Sequence, residues 1–299
     1  MEQKEGRKTR AADTAQRNLF DNDDEREKDR QPVVEGIAPR ETTCRSALNR
    51  TKIPGYDYCM NPYVGCTHGC VYCYASFMCR FTDHRENWGE FLDVKTNFPD
   101  VLARQLGRRS RRKGKVLVGT VTDAYQPAEA QYGITRSSLN ILVDHPLLEV
   151  HILTKSDLVR RDIAILHKLT ACEVGFTITT MDKNISRVLE PGASPPDLRL
   201  EAAGALMKAG IPVWVFAAPL LPGLTDTEAA LKTLVSALQK TGIRKVEFDS
   251  LNPYPAVTRR LKSVYKRNFP GALPELEEYL RHPDGCREEI VSRIGRLSF

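Results

Sequence analysis

The sequence predicts an α/β fold: a parallel (βα)6 sheet forming a partial TIM-type barrel, followed by a C-terminal helical extension. Two observations point there. From Tyr58 onward an apolar or extended stretch, a loop and a helical stretch recur about every thirty residues, the rhythm of successive βα units. The strand-like runs are short and apolar, and the intervals between them are long enough for the right-handed helical crossovers that parallel strands require. At 299 residues the chain accommodates one such barrel with tails at either end.

Taken in order, residues 1–31 carry nine acidic and eight basic side chains, with Leu19 and Phe20 as the one large apolar pair. That stretch buries too little surface to offset its ordering entropy, so 1–40 is expected to be a disordered tail. Residues 41–255 are the predicted core. The first strand starts near Tyr58 and runs into residues 61–65. Residues 116–120 (VLVGT) form the second, residues 148–154 (LEVHILT) the third, and a helix over 134–143 lies between them. Residues 173–180 are the fourth strand, with Thr177 and Thr179 in the β-branched alternation strands favour. Leu198, Ala202, Ala205, Leu206 and Ala209 share one helical face, which Gly210 ends. Residues 211–218 are the fifth strand. Thr225 with Glu228 reads as a capping box for a helix whose Leu231, Leu234, Val235 and Leu238 face inward, and Gly242 as its C-terminal cap. Residues 245–251 are the sixth strand. Residues 256–299 break into short helical segments, the predicted extension.

Composition narrows the setting. Eight cysteines and a charged, non-apolar start point to a reducing, cytoplasmic compartment without disulfides. The longest apolar run, 213–221, is interrupted by Pro219 and falls far short of the ~20 residues a bilayer crossing needs, so no membrane association is expected. The net charge of +6 supports polyanion binding only weakly.

The chemistry concentrates in residues 61–75, NPYVGCTHGCVYCYA, where Cys66, Cys70 and Cys73 stand as C-x3-C-x2-C in a loop at a strand's carboxyl end. Three thiolates so close can hold a metal centre. Four cysteines would close an iron–sulfur cluster, whereas three leave one iron open to a substrate or cosubstrate. The rival is a closed zinc site, which usually draws its ligands as two close pairs. Here there is one triplet and no second pair.

In parallel α/β folds the loops after the strands gather on one face. That face would hold Thr120, Thr122, Asp123 and Tyr125 from residues 119–127 (GTVTDAYQP), then Thr154, Lys155 and Ser156, then Thr177, Thr179 and Thr180. Each alone reads as a cap or a solvated loop residue. Together they make a polar mouth over the triplet.

The triplet, with Tyr72 before its last cysteine, resembles the signature of the radical S-adenosylmethionine (radical SAM) superfamily. The resemblance sharpens to the spore photoproduct lyase family over roughly residues 61–251. It is carried by the cysteine loop, TDAYQP, the Thr154-Lys155 pair, the block LEPGASPPDLRLEAAGALMKAGIP from Leu189, and APLLPGLTD. It implies a [4Fe-4S] cluster held by Cys66, Cys70 and Cys73, and S-adenosylmethionine bound among Tyr72, Thr122, Asp123, Lys155, Thr177 and Thr179. By it, Lys155 contacts the cosubstrate carboxylate, Thr177 offers a hydroxyl and Tyr72 lies near adenine. It implies reductive cleavage to a 5′-deoxyadenosyl radical, a reductant protein such as a flavodoxin or ferredoxin, and a nucleic-acid lesion as substrate. A peptide or small metabolite is the alternative substrate class, and a zinc or iron–sulfur binding module the non-enzyme alternative. One departure stands out. Thr120 occupies the position of the cysteine that in this family returns a hydrogen atom to the product, and a threonine O–H bond is too strong for that task. The expected substrate therefore differs from spore photoproduct.

Other residues have plainer readings. Cys59 and Cys79 read as small buried hydrophobes, or as thiols reaching in from the cluster loop, and His68 as packing beside the cluster. Arg108, Arg109, Arg111, Arg112, Lys113 and Lys115 precede the second strand and so fall on the face away from the triplet. Arg259, Arg260, Lys262, Lys266 and Arg267, interleaved with Tyr254, Tyr265 and Phe269, read either as a solvated helix face or as a polyanion contact near the mouth.

Overall fold

The computed structural model describes residues 37–107 and 111–297. Residues 1–36 of the tail predicted over 1–40, and Arg108 and Arg109 of the first basic run, lie outside the described residues. Arg40, the last residue of that predicted tail, is instead ordered at the start of a strand, paired with Asp93. Among the described residues ten strands form two sheets: β1 Arg40–Thr42, β2 Asn49–Arg50, β3 Tyr58–Met60, β4 Tyr63–Val64, β5 Asp93–Lys95, β6 Gly114–Val118, β7 Leu148–Thr154, β8 Cys172–Thr177, β9 Val213–Leu220 and β10 Val246–Ser250. The larger sheet has the order β10-β9-β8-β7-β6-β3-β2. Its neighbours from β3 to β10 are all parallel, and β2 pairs antiparallel on the β3 edge. Each parallel strand lies beside the one before it, as short right-handed crossovers dictate. The smaller sheet, β1-β5-β4, was not expected from the sequence.

Alternation along the strands sorts the two faces. Val116, Val118, Val150, Ile152, Val174, Phe176, Val215 and Ala217 point to one side, where they form a continuous core with Leu102, Leu139, Leu142, Leu206 and Leu234 from the helices. The opposite face carries Cys59, Leu117, Leu153, Gly175, Thr177, Trp214 and Phe216. Its amino-terminal end carries polar pairs: Lys115 with Glu149 at 3.7 Å, His151 with Glu173 at 3.4 Å and Lys245 with Glu173 at 2.6 Å. Trp214 lies across Gly175, where any Cβ would come within 2.5 Å of the indole. Both sets of contacts occupy the amino-terminal end of that face, and the polar loops predicted to gather together follow the carboxyl ends.

The helices fall close to where the sequence puts them, at Ile134–Leu142, Pro196–Lys208 and Glu228–Thr241. The capping box needs correction. Thr227 is the N-cap, accepting from the amide of Ala230, while the Thr225 hydroxyl accepts from the amide of Leu221. Thr225 is therefore committed to the turn before the helix. Gly242 does supply the left-handed C-terminal cap.

Beyond β10 three α-helices follow among the described residues, Pro255–Asn268, Leu273–Arg281 and Pro283–Gly295. Their Val257, Leu261, Tyr265, Leu276, Tyr279 and Ile290 share a second core with Cys70, Val71, Tyr72 and Leu189. The C-terminal segment thus packs on the cysteine loop itself. No described helix is long and apolar enough to cross a membrane.

Candidate metal centre

The cysteine loop leaves β4 at Val64 and turns at Gly65. Gly65 has a φ of +82°, and a Cβ there would sit 2.5 Å from the carbonyl oxygen of Phe91, so both conformation and space demand glycine. The loop ends in a 3-10 helix, Tyr74–Phe81. Cys66 and Cys70 are buried and Cys73 is partly buried. Burial pushes the Cys66 thiol up to about 12, with Asp123 and Cys73 adding to the rise. Cys70 is raised by burial as well, against the pull of Lys155, and is raised further by Glu190, Cys73 and Cys66. Charge on any one of these thiols disfavours charge on the others, and a bound cation would relieve that repulsion. Among the described residues no three His, Cys, Asp or Glu side chains converge on one point as ligands of a single ion would.

Three strand ends hold this loop from one side. Asn61 donates to the Thr120 hydroxyl at 2.8 Å and accepts from the amides of Thr120 and Val121. The Thr122 hydroxyl donates to the carbonyl of Gly65 at 2.6 Å and accepts from Gln126. Gln126 in turn accepts from the amide of Thr67 at 2.9 Å. The Asp123 carboxylate accepts from the amides of Tyr125 and Lys155 and from the Thr154 hydroxyl, with His68 Nδ1 at 3.3 Å. Burial alone would raise the Asp123 carboxyl, but His68 and these hydrogen bonds bring it down to about 2. Thr122 and Asp123 are thus both fully engaged with the chain's own loop and backbone. His68, read as loop packing, is the partner of Asp123.

From the other side comes the block after Leu189. Val71 donates its amide to Leu189, and Gly192 donates to the carbonyl of His68. Tyr72, buried, donates its hydroxyl to Glu190, whose carboxylate also accepts from Arg199. Arg199 is fully buried and donates further to the carbonyls of Ser194 at 2.6 Å and Thr177 at 2.9 Å. Sequence reading took this block as a resemblance without assigning Glu190 or Arg199 a role. Their signal was available: an arginine one residue from Leu198 on a helix whose other buried positions are small or apolar.

Lys155 stands between the two sides. Its Nζ lies 5.6 Å from the centre of the Tyr72 ring. Burial would lower its pKa, but Cys70 and Glu190 outweigh it and hold the ammonium above its ordinary value. Thr177 and Thr179 are buried at the end of β8, and neither hydroxyl has a partner among the described residues. The structure therefore brings Lys155 close to Tyr72, Cys70 and Cys73, with Asp123 close to Cys66, while Thr177 meets this group through its carbonyl and Arg199.

Three expectations are corrected. Tyr125 is fully buried and donates to Asp162 at 3.2 Å, so its hydroxyl lies in a polar core cluster rather than at the mouth. Tyr265, interleaved in the second basic run, is buried and donates to the carbonyl of Pro222. Arg260 points at the cysteine loop rather than into solvent. Tyr74 and Phe81, by contrast, are 44% and 65% exposed.

Comparison with known proteins gives a consistent result. A family model described as the radical SAM superfamily matches residues 60–234. An uncharacterised protein of Methanocaldococcus jannaschii is 38% identical over 226 residues, spanning 76% of this chain and 82% of its own length. An uncharacterised protein of Mycobacterium tuberculosis is 32% identical over 279 residues, spanning 84% and 80%. Among solved structures, a spore photoproduct lyase complexed with dinucleoside spore photoproduct superposes with a TM-score of 0.60 at 17% identity. That match covers 77% of this chain and 66% of the lyase. A lyase variant with bound AdoMet gives 0.59 at 18% identity, over the same 77% and 66%. These structures share the fold.

Proposed function

The chain belongs to the radical SAM superfamily, which implies an enzyme using S-adenosylmethionine and a [4Fe-4S] cluster, and on that premise we propose that Cys66, Cys70 and Cys73 ligate the cluster and Lys155 receives the cosubstrate. A reduced cluster held by these cysteines would supply the electron that cleaves S-adenosylmethionine, the source of a 5′-deoxyadenosyl radical for hydrogen abstraction. The chain's own part is placement. Lys155 pairs with the cosubstrate carboxylate as a point charge. The unpartnered hydroxyls of Thr177 and Thr179 meet its ribose and amine. Tyr72, oriented by Glu190 and Arg199, lies beside the adenine. Thr122 and Asp123 act from beneath, Thr122 by fixing Gly65 and Asp123 by fixing the backbone of Lys155. We read the six parallel strands as a partial (βα)6 barrel, residues 41–255 as the catalytic core and 256–299 as its extension. A cytoplasmic setting and a small reductant protein, flavodoxin or ferredoxin, complete the reading.

For substrate, the fold shared with a lyase complexed with dinucleoside spore photoproduct supports a nucleic-acid lesion. The Thr120 hydroxyl, accepting from Asn61, argues that the lesion is not spore photoproduct itself. A second reading has its own observation. Val246 and Phe248 of β10 face the helices, which leaves Glu247 and Asp249 exposed on the open face at the sheet's edge. Two carboxylates there repel a polyanion and suit a peptide or small metabolite.

The observation that carries the cosubstrate assignment is the Lys155 ammonium, set over Tyr72 beside Cys70 and Glu190. Lys155→Ala should weaken S-adenosylmethionine binding by about 1.5 to 3 kcal/mol, typical of a charge-assisted hydrogen bond, while iron content and visible absorbance stay at wild-type levels. Equilibrium dialysis with the labelled cosubstrate measures it. Unchanged affinity would return Lys155 to a loop role.

A further inference from the structure

The helix Pro255–Asn268 lies beyond the predicted core, yet one of its side chains reaches the cysteine loop. Arg260 Nε donates to the carbonyl of Val71 at 3.0 Å, and its Nη2 donates to the carbonyl of Cys73 at 2.9 Å and to the Ser76 hydroxyl at 3.0 Å. These acceptors lie 184 to 189 residues away in the chain. They flank the third cysteine on both sides. The guanidinium is partly buried, so its charge is screened less than that of the exposed Lys266 and Arg267 on the same helix. Leu261, the next residue, is fully buried in the core that also contains Cys70, Val71 and Tyr72, which fixes the helix's rotation and aims Arg260 at the loop. Cys73 also packs against the cluster of Cys66, Ala75, Trp88 and Phe91. Cys73 therefore has aromatic packing on its side chain and, at its backbone, a cation brought by the C-terminal extension.

We propose that Arg260 is a positioning residue for the metal centre: it fixes the backbone around Cys73 and places a positive charge that favours the reduced form of the bound cluster. The inference rests on the assignment of Cys66, Cys70 and Cys73 as cluster ligands. Its physical basis is general. Donors and charges just outside a ligand orient it and tune the metal, and a cluster's reduction potential responds to nearby charge and hydrogen bonds. One electron added to the cluster makes it more negative by one charge, and a fixed guanidinium alongside lowers the energy of that state. Arg260 also ties the extension to the centre, adding polar contacts to the apolar core that already joins them.

The test is a potentiometric titration of the reconstituted protein, followed by electron paramagnetic resonance with low-potential mediators, on the full chain. Arg260→Gln, which retains amide donors but loses the charge, should move the midpoint to a more negative potential. Arg260→Lys should restore most of the shift, and Lys266→Met should leave it unmoved. Cluster loss to a chelator, followed by the decay of visible absorbance, should be several-fold faster in Arg260→Gln than in wild type, with Arg260→Lys between them. A midpoint in Arg260→Gln equal to that of wild type, or an equal shift in Lys266→Met, overturns the inference while leaving the cluster assignment standing. Wild-type protein that takes up no iron–sulfur cluster overturns the assignment and the inference together.

Discussion

Gly192 sits where a methyl group does not fit. A Cβ there would lie 2.1 Å from the carbonyl oxygen of Thr67, between the first two cysteines. Gly192→Ala should therefore push the cysteine loop off its seat, costing about 1 to 3 kcal/mol in urea unfolding and most of the bound iron. Gly204→Ala is the contrast. Its Cβ would meet only a Thr241 methyl at 3.6 Å, within the helix Pro196–Lys208, so it should stabilise by about 0.5 to 1 kcal/mol. Asp123 gives a pH-dependent test. Its folded pKa of about 2 lies below the ordinary value near 3.9, so its stabilisation is full above about pH 4 and is lost as pH falls through about 2. The stability gap between wild type and Asp123→Asn should be flat from pH 7 to 5 and narrow below 4; a gap that widens on acidification contradicts the assignment. At this scale the sequence showed that Cys66, Cys70 and Cys73 share one loop, which the fold keeps buried or partly buried. It did not show the setting of Asp123, because only the fold reveals that Lys155, Thr154 and His68 converge on its carboxylate.

The helix Pro196–Lys208 is anchored by an ion pair with no solvent around it. Arg199 and Glu190 are both essentially buried, and Arg199 also fixes the carbonyl at the end of β8. Removing one partner leaves the other charge unpaired, so Arg199→Met should cost about 3 to 5 kcal/mol, whereas Arg199→Met with Glu190→Leu should cost less than the single change. A double replacement that costs the sum of the singles would mean the two act independently. The strands and major helices were readable from periodicity, since burial of one face imposes it. The Thr225 capping box misled because a hydroxyl before a helix can as easily close a turn, and here the amide of Leu221 claims it. The sheet β1-β5-β4 was illegible because its strands are two or three residues long, too short for alternation to show.

Across the whole molecule, the C-terminal helices and the cysteine loop share one core, so the extension is part of the site's support. The sequence could not show this, because the contacts of Arg260 span more than half the chain. The two substrate readings part on charge. A nucleic-acid substrate requires that reversal of the exposed Lys266 and Arg267 lower oligonucleotide affinity and its salt dependence, while reversal of Arg111 and Lys113, before β6, does little. Wild-type protein that fails to bind oligonucleotides at low salt would favour the peptide or metabolite reading. The most direct test comes before any substrate is known: anaerobic reconstitution, reduction with dithionite, and assay for 5′-deoxyadenosine from S-adenosylmethionine. Wild-type protein should form it, Cys66→Ala, Cys70→Ala and Cys73→Ala should form none, and Lys155→Ala should need far more cosubstrate. Stoichiometric zinc in place of iron, or a reconstituted and reduced cluster that yields no 5′-deoxyadenosine, would contradict the account.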